Sequence, residues 1–464
     1  MSNLLVEPAA WAKQQFAECD LGDERRTKRL VQIAAQAAAR PDGSTPDQTE
    51  SWGDCKAVYR LMDCDDVSHA KIVGPHCVQT RQSCPAGSVQ LILCDTTEID
   101  FGRRVEGLGR IGRNKTNRGF YLHTGLMRDA ATAEIRGMAG QELFYRRRRR
   151  QKAHKNTKRM DPEREQVVWG KLIDQIGLPP PDVRWIHVCD RGADDYEVYL
   201  RAHLNGCGWA IRTARLNRKV RTVAGRDTTL EEMLASAPVH HVLQFSVPRQ
   251  GDRPARTADV ELRYFPFLMP PPSRSNRWIR EHAPAEPLSM WCVQLIERNP
   301  PKGAEALKWV LVTSEPVTSE EEALRVLGHY SKRWGVEEYH KALKTGCHVE
   351  ERGYQTSDRL ERVTGLLAVL AVRLLQVREL AREQPDLPAA EVAPKEWVET
   401  LAAVRKRRSA APMTIHEFVR QLAGLGGHLG RKSDGEPGWI TLWRGVEKLL
   451  LILRGTTLAR KRCG

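Results

Sequence analysis

Two apolar runs in the first half of the chain predict buried strands, and a single acidic residue follows each of them. VQLILC precedes Asp95, and RWIHVC precedes Asp190. Short, continuous apolar runs that include β-branched residues are typical of strands covered on both faces. We therefore expect two buried strands, each ending at an aspartate.

Strands and helices alternate around these two runs. A strand pair is predicted at YLHTGLMRD and EIRGMAGQELFYR, and a helix and the strand WAIRTA follow Asp190. Such alternation predicts an α/β fold. We place the first part of this core at residues 71–213 and its second part at 306–385.

Residues 214–305 show a different pattern. The segments HHVLQFSVP, DVELRYF and LSMWCVQLIE read as successive strands separated by turn residues, and the only helix expected among them is the short TLEEMLAS. This region is predicted to be a β domain inserted into the core.

Both ends of the chain are predicted to be helical. In residues 1–70, the segment ERRTKRLVQIAAQAAAR reads as a helix that Asp20 or Asp23 could cap. Toward the other end, 358–384 reads as a long amphipathic helix. Within 386–464, the stretch 437–455 reads as a short terminal helix whose large apolar side chains would be costly to expose.

The chain is strongly basic. Its 464 residues include 73 Lys and Arg against 58 Asp and Glu, a formal charge of +15. Such a field favours polyanionic partners, and binding to DNA should weaken steeply with salt. The first turn of the N-terminal helix carries Arg25, Arg26, Lys28 and Arg29 against the helix dipole, which a phosphate partner would explain. A solvated charged helix explains it equally well.

Neither membrane nor zinc chemistry is indicated. The apolar stretch LLAVLAV is too short to span a bilayer, and the first residues lack the charged-then-apolar pattern of a secretory signal, so a cytoplasmic, nucleoid-associated protein is expected. The eleven cysteines include no CxxC pair, which argues against a zinc ribbon and favours free thiols.

The segment YSKRWGVEEYHKALK carries the most informative chemistry. Read as one helix, it places Tyr330, Arg333, Glu337 and Lys344 on a single face. A carboxylate flanked by Arg, Lys and a tyrosine hydroxyl suits a metal ion and phosphates together. With Asp95 and Asp190 it suggests an Asp, Asp, Glu site for Mg²⁺, in which two ions would activate the attacking oxygen and stabilise the leaving one.

Simpler explanations exist for each residue alone. An aspartate after a strand is usually a turn former or a helix cap, and Glu337 can pair with Lys341 on an ordinary solvated helix face. The combination is more specific, because a purely solvated stripe has no need of Tyr330.

These motifs resemble the DDE transposases of bacterial insertion sequences, in the branch with a YREK signature that includes the transposase of transposon five. The resemblance extends from LGDERRTKRLVQIAAQ through CDTT, CDRGAD and HYSKRWGVEEYHKALKTG to LERVTGLLAVLAVRLLQVREL. It implies a ribonuclease H-like core, with Asp95, Asp190 and Glu337 holding two Mg²⁺ ions per site, for which Mn²⁺ is expected to substitute. It also implies that residues 1–70 bind transposon ends and that 386–464 form a homodimer in the synaptic complex; packing within the subunit is the competing explanation for the apolar C-terminal helix.

The resemblance assigns further roles in DNA binding. The residues implied to contact the DNA backbone are Tyr330, Arg333, Lys341, Lys344 and Arg212. Those implied to hold a flipped base while a hairpin forms are Trp309, Trp334 and Tyr121. Core filling by Trp309 is the structural alternative.

The predicted function is therefore cut-and-paste DNA transposition, with hairpin formation at transposon ends and joining of the 3′ ends to target DNA. A catalytically silent DNA-binding repressor of transposition and a structure-specific nuclease of the same fold are the alternatives.

GLGRIG at 107–112 fits GxGxxG but lacks the strand and helix of a dinucleotide site. The basic run 145–159 could contact DNA or be a solvated loop.

Overall fold

The protein is described here from a computed structural model, which describes residues 6–102, 105–112, 116–146, 164–247, 255–301, 305–407, 409, 411–431 and 434–463. The chain divides into two compact units. The first unit comprises Met1–Ser83, Thr96–Arg147 and Val336–Gly464, and the second unit comprises Cys84–Asp95 and Arg148–Gly335. Strands and helices are mixed and the chain ends are helical, so the predicted α/β class is confirmed.

The elements of the described ranges are numbered in chain order. The helices are α1 (Pro8–Phe16), α2 (Glu24–Ala39), α3 (Trp52–Met62), α4 (His69–Gln82), α5 (Val167–Ile176), α6 (Tyr196–Leu204), α7 (Leu230–Ser236), α8 (Arg277–His282), α9 (Glu320–Ser331), α10 (Trp334–Lys341), α11 (Ser357–Glu383), α12 (Lys395–Val404), α13 (Ile415–Leu425) and α14 (Trp439–Cys463). The strands are β1 (Val89–Asp100), β2 (Gly109–Arg110), β3 (Arg118–Asp129), β4 (Ile135–Phe144), β5 (Arg184–Cys189), β6 (Gly208–Arg212), β7 (Lys219–Arg221), β8 (Asp227–Thr229), β9 (His241–Val247), β10 (Arg256–Met269), β11 (Leu288–Glu297) and β12 (Lys308–Thr313).

The sheet of the second unit is parallel on one side and antiparallel on the other. The first part of β1 pairs in parallel with β5, and β5 pairs in parallel with β6. From β6 the order continues through β12, β11 and β10 in antiparallel pairs. Residues Leu91–Cys94 are at most 2 % exposed, as the apolar run predicts.

The strands predicted between 214 and 305 are confirmed. HHVLQFSVP corresponds to β9, DVELRYF lies within β10, and LSMWCVQLIE is β11. The expectation of a single helix there is wrong, because α8 follows α7. Helix α8 has six residues and buries only Ile279, so it leaves no periodic apolar signal; the Asn276 side chain caps it by accepting the Ile279 N–H at 2.9 Å.

The first unit surrounds one helix on nearly all sides. Helix α11 packs against α2, α3, α4, β4 and α13. All residues from Leu366 to Val372 are at most 2 % exposed. The prediction of an amphipathic helix is therefore wrong, since a helix with neighbours all round has no solvated face to encode in its sequence.

The other elements of the first unit agree with the predictions more closely. Asp23 caps α2 by accepting the Arg25 N–H at 2.8 Å. The predicted strand pair is β3 and β4, which are antiparallel. In the same unit β3 also pairs with β2 and lies beside β1.

The terminal helix α14 is longer than expected. It starts at Trp439 and continues to Cys463. The helix packs against the first unit's own α12 and α13. Trp439, Trp443 and Leu449 are buried, while Leu451 is half-exposed. Most of its apolar side chains are thus covered within the subunit. None of the helices in the described part of the chain has the length and apolar content of a membrane span.

Candidate active site

Asp95, Asp190 and Arg212 lie side by side at the carboxyl edge of three parallel strands in the second unit. Cys94 of β1 is in register with Cys189 of β5, and Cys189 is in register with Ile211 of β6. The next residue on each strand is Asp95, Asp190 or Arg212. Neighbouring strands are about 4.8 Å apart, and residues in register on parallel strands point to the same face. The register therefore places the two aspartates at adjacent strand positions, with the backbone of Arg212 next to them.

The two aspartates differ in their local backbone. Asp190 follows the end of β5, as predicted, and its Oδ1 accepts the Gly192 N–H at 2.7 Å to begin the 3₁₀ turn Arg191–Ala193. Asp95 does not end its strand, because β1 continues to Asp100. Burial does end there: Cys94 is 2 % exposed and Asp95 is half-buried. The following β-branched residues, Thr96 and Thr97, favour continued extended backbone.

Behind the aspartates lies a buried layer of small side chains. Cys94 and Cys189 are 2 % and 1 % exposed, and the Cys94 Sγ is 3.8 Å from the Nδ1 atom of His187. Burial raises the pKa of the Cys189 thiol, whereas hydrogen bonds with Cys189 and His187 lower the pKa of the Cys94 thiol. The strand residues directly before the two aspartates are thus small and buried.

Arg333 reaches this edge from the loop after α9. Its Nη1 lies 3.8 Å from Oδ2 of Asp95, and the two side chains are 15 % and 21 % exposed. Partial burial reduces solvent screening of this pair. A guanidinium group carries N–H donors in a planar arrangement that matches phosphate oxygens.

The predicted continuous helix over 330–344 is wrong. Helix α9 ends at Ser331 and α10 begins at Trp334. Between them the backbone tightens: the Arg333 N–H bonds to the Tyr330 carbonyl, and the Gly335 N–H bonds to the Lys332 carbonyl, both at 3.0 Å. These i→i−3 bonds replace the α-helical pattern.

A second irregularity follows α10 in the first unit. Residues Ala342–Gly346 form a π-helical turn that contains Lys344. A wider turn changes the angular position of Lys344 relative to Glu337, so the offsets of a regular helix do not apply. Glu337 is half-buried in the first turn of α10, and Lys341 is exposed at its end.

Lys344 has a partner that the sequence motifs did not indicate. Its Nζ lies 3.2 Å from Oε1 of Glu350. Glu350 is on the short 3₁₀ turn Val349–Glu351, six positions further on, and no helical or strand spacing predicts their contact.

Two of the predicted aromatic residues contact each other in the second unit. Trp309 on β12 and Tyr330 on α9 pack edge to face, with centroids 5.2 Å apart and planes at 72°. Tyr330 is 7 % exposed, and Trp309 is partly exposed. Arg212 lies at the same pair of strands and donates to the Lys308 carbonyl at 2.9 Å. Trp334 is 58 % exposed.

Tyr121 is placed differently from Trp334. It lies on β3 in the first unit, is 4 % exposed and stacks on Phe144 with a centroid separation of 5.3 Å. Its hydroxyl donates to Glu98 at 3.3 Å, and Arg146 lies over its ring. Stacking on a base would require this ring to leave its contact with Phe144.

The basic first turn of α2 is partly neutralised. Arg26 pairs with Asp66, Lys28 with Glu24 at 2.8 Å, and Arg29 with Asp54 at 3.4 Å. Arg25 is exposed. Both readings of this turn, a phosphate contact and a solvated face, are compatible with these pairs.

The two other segments singled out by sequence have simple placements. GLGRIG contains the two-residue strand β2, which pairs with β3. The next described element is β3 itself, a strand, where a dinucleotide site would require a helix. Of the basic run 145–159, only Tyr145 and Arg146 lie among the described residues.

Within the described ranges, no three His, Cys, Asp or Glu side chains form a group that could hold a metal ion. Asp95 and Asp190 belong to the second unit and Glu337 to the first. The arrangement that the second unit provides is thus a pair of carboxylates beside Arg333 and Arg212.

Comparison with known proteins identifies both ends of the chain. A family described as "Transposase DNA-binding" matches residues 8–67, and one described as "Transposase Tn5 dimerisation domain" matches 369–463. Among solved structures, the cryo-EM structure of a piggyBac transposase synaptic complex with hairpin DNA is similar at 12 % identity and a TM-score of 0.39, over 81 % of this chain and 76 % of that chain. The two ends of the chain are thus similar to the DNA-binding and dimerisation domains of transposases, the second of them to that of the Tn5 transposase.

Proposed function

We propose that the protein is a DDE-type, cut-and-paste DNA transposase in which Asp95, Asp190 and Glu337 are the metal-binding residues. The observation that carries the proposal is the register of β1 with β5, which sets two half-buried aspartates next to each other in a chain whose ends match transposase families. If Asp95 and Asp190 were only turn formers or helix caps, neither would require an aspartate at the adjacent position of the neighbouring strand.

The donor chemistry fits a hard divalent cation. Asp95 and Asp190 offer carboxylate oxygens at adjacent strand positions, and Mg²⁺ prefers oxygen ligands. Bound there, Mg²⁺ would lower the pKa of an attacking water or 3′ hydroxyl and neutralise charge on the phosphate. Glu337 is the third proposed ligand.

The neighbouring cations fit the other half of the reaction. Arg333, close to Asp95, and Arg212, beside Asp190, would hold phosphate oxygens near the carboxylates. Lys344 and Lys341 would contact the backbone from the first unit. We assign Trp334, which is exposed, to stacking on a displaced base. Trp309 and Tyr330, which pack on each other, are assigned to the surface that contacts the DNA.

The ends of the chain supply the remaining parts. Residues 8–67, with the α2 residues Arg25, Arg26, Lys28 and Arg29, would bind the transposon ends, and residues 369–463 would join two subunits. The core would be ribonuclease H-like, for which the parallel strands β1, β5 and β6 and the β3–β4 hairpin give support.

The test is cleavage of a labelled duplex that carries the element's own outer ends, with Mg²⁺. The native protein should nick the ends and form hairpins, and Glu337→Gln should bind the same duplex without cutting it. Glu321→Gln makes the same chemical change at an exposed position of α9 and should cut normally. Mn²⁺ should replace Mg²⁺.

The outcomes separate the alternatives. End-specific binding without cleavage by the native protein would favour a silent repressor. Cleavage of branched DNA with no preference for the ends would favour a nuclease. Cleavage that survives Glu337→Gln would refute the assignment of the third ligand.

A further inference from the structure

Glu350 connects Lys344 to strand β1. Its Oε1 lies 3.2 Å from Nζ of Lys344, and the same oxygen accepts the N–H of Asp100, the last residue of β1, at 2.9 Å. Asp100 is itself fixed: its Oδ1 accepts the Gly102 N–H at 2.8 Å, and its Oδ2 accepts from Asn117 at 2.5 Å. All these residues belong to the first unit. The ammonium group of Lys344 is thus tied through one carboxylate to the strand that also contains Asp95.

The backbone between the two partners is unusual. Lys344 lies in a π-helical turn, and Glu350 lies in a 3₁₀ turn. Between these turns His348 has a left-handed conformation with φ of 49°, although it is not glycine. The chain reverses direction at His348. Arg352, which is 3 % exposed, donates to the Cys347 carbonyl at 2.7 Å and stabilises this reversal. Such backbone costs free energy and persists where its surroundings fix it, commonly at functional sites.

The contact is too exposed to serve mainly as a stabilising ion pair. Both side chains are 29 % exposed, and ion pairs of this kind contribute little to stability. The larger effect of the contact is on geometry, because a lysine side chain otherwise samples many rotamers and loses that freedom on binding. A carboxylate that already holds the lysine removes part of this cost before DNA arrives.

We infer that Glu350 is a positioning residue, which orients Lys344 for a phosphate of the DNA backbone. The inference rests on the proposed function, since Lys344 is assigned to the phosphate there. Glu350 would not touch DNA itself; a phosphate oxygen would bind the N–H donors of Lys344 that Glu350 leaves available, since an ammonium group has three.

The test compares Glu350→Gln with the native protein in the end-cleavage assay. Glutamine keeps an oxygen that can accept the Asp100 N–H but removes the charge that holds Lys344. We expect cleavage to slow on the order of 3- to 30-fold, because Lys344 must then lose its rotamer freedom when it binds the phosphate. Glu350→Asp should recover part of the rate. Glu321→Gln, the same change at an exposed residue of α9, should alter the rate less than about 2-fold.

A second variant distinguishes positioning from a structural role. In a Lys344→Met background, Glu350→Gln should cause no further loss, because the group it orients is gone. Equal losses in both backgrounds would overturn the inference, as would faster cleavage by Glu350→Gln, which would mean that Glu350 competes with the phosphate. If the native protein cleaves ends and Glu350→Gln matches it, only this inference fails. If the native protein does not cleave, the proposed function fails with it.

Discussion

Replacing Asp190 by asparagine should abolish DNA cleavage and leave the fold intact, whereas alanine should damage both. The Asp190 Oδ1 accepts the Gly192 N–H at 2.7 Å and starts the 3₁₀ turn after β5. Asparagine offers an amide oxygen in the same place but lacks the negative charge that a divalent cation requires. Alanine leaves the Gly192 N–H without this acceptor.

The size of the alanine effect follows from this hydrogen bond. Loss of a side-chain cap costs about 0.5–2 kcal/mol. Gly192 is only half-buried, so water replaces part of the lost bond and we expect a value of about 1 kcal/mol. The asparagine variant should lie within about 0.5 kcal/mol of the native protein, as for a substitution that preserves the contact.

Gly192 provides an independent perturbation of the same carboxylate. A Cβ added there would lie 2.9 Å from Oδ1 of Asp190 and 2.9 Å from a ring carbon of Trp169. Both distances are shorter than real Cβ contacts, and the carboxylate is the more easily moved. Gly192→Ala should therefore slow cleavage without changing any charge.

Urea unfolding followed by tryptophan fluorescence, together with end cleavage in Mg²⁺, measures both effects on the same samples. Thr229→Ala is the control, because Thr229 caps α7 in the same unit by accepting the Glu232 N–H at 3.2 Å. It should lose about 1 kcal/mol of stability and keep full activity. Native rates in Asp190→Asn would refute the metal-ligand assignment, and equal destabilisation by asparagine and alanine would refute the capping argument.

Three further predictions concern stability. Burial lowers the pKa of His69 and of His76 to about 4, below the unfolded value near 6.5. As the pH falls, the unfolded chain therefore takes up protons first, and the free energy of unfolding should decrease between pH 6.5 and about 4. Urea midpoints measured across this range should fall less in a His69→Gln, His76→Gln double variant. Glu197 is 4 % exposed and accepts from Arg164, Arg201 and Asn276, and each arginine has a second carboxylate partner in Asp195 or Asp174. Glu197→Gln should therefore cost about 1.5–3 kcal/mol in urea unfolding, the range for lost hydrogen bonds to charged groups; a loss below about 1 kcal/mol would contradict this. His348 has a φ of 49°, so His348→Gly should be tolerated. His348→Val should reduce the free energy of unfolding by about 1–2 kcal/mol and so lower the thermal midpoint. Equal midpoints would show that this backbone is not strained.

The sequence predicted those parts of the site that depend on strands. Apolar runs before Asp95 and Asp190 identify two buried strands, and parallel pairing places their carboxyl ends at one edge. The continuation of β1 beyond Asp95 was not predicted, because residues 96–100 are mostly polar and only half-buried. Their pattern marks the end of burial, which coincides with Asp95, and carries no signal for the end of the strand.

The helical part of the site was predicted less well, for a different reason. The residues from Tyr330 to Lys344 favour helix throughout, apart from Gly335, so their pattern continues across the break between α9 and α10. The tight turn at 332–335 and the π-helical turn after Lys341 are set by packing, which overrides local preference. The motif therefore predicts candidate side chains, but a regular helix gives them the wrong relative directions.

The same reasoning explains why Glu350 escaped notice. Its contact with Lys344 depends on a chain reversal at His348, a residue with no intrinsic preference for positive φ as strong as that of glycine. A sequence pattern can report regular periodicity, and this segment departs from it three times between Ser331 and Glu351: at the turn before α10, at the π-helical turn and at His348. Departures of this kind are common where a functional group must be placed, and in this segment they bring the ammonium group of Lys344 to Glu350. A more regular backbone in this segment, however stable, would separate Lys344 from Glu350.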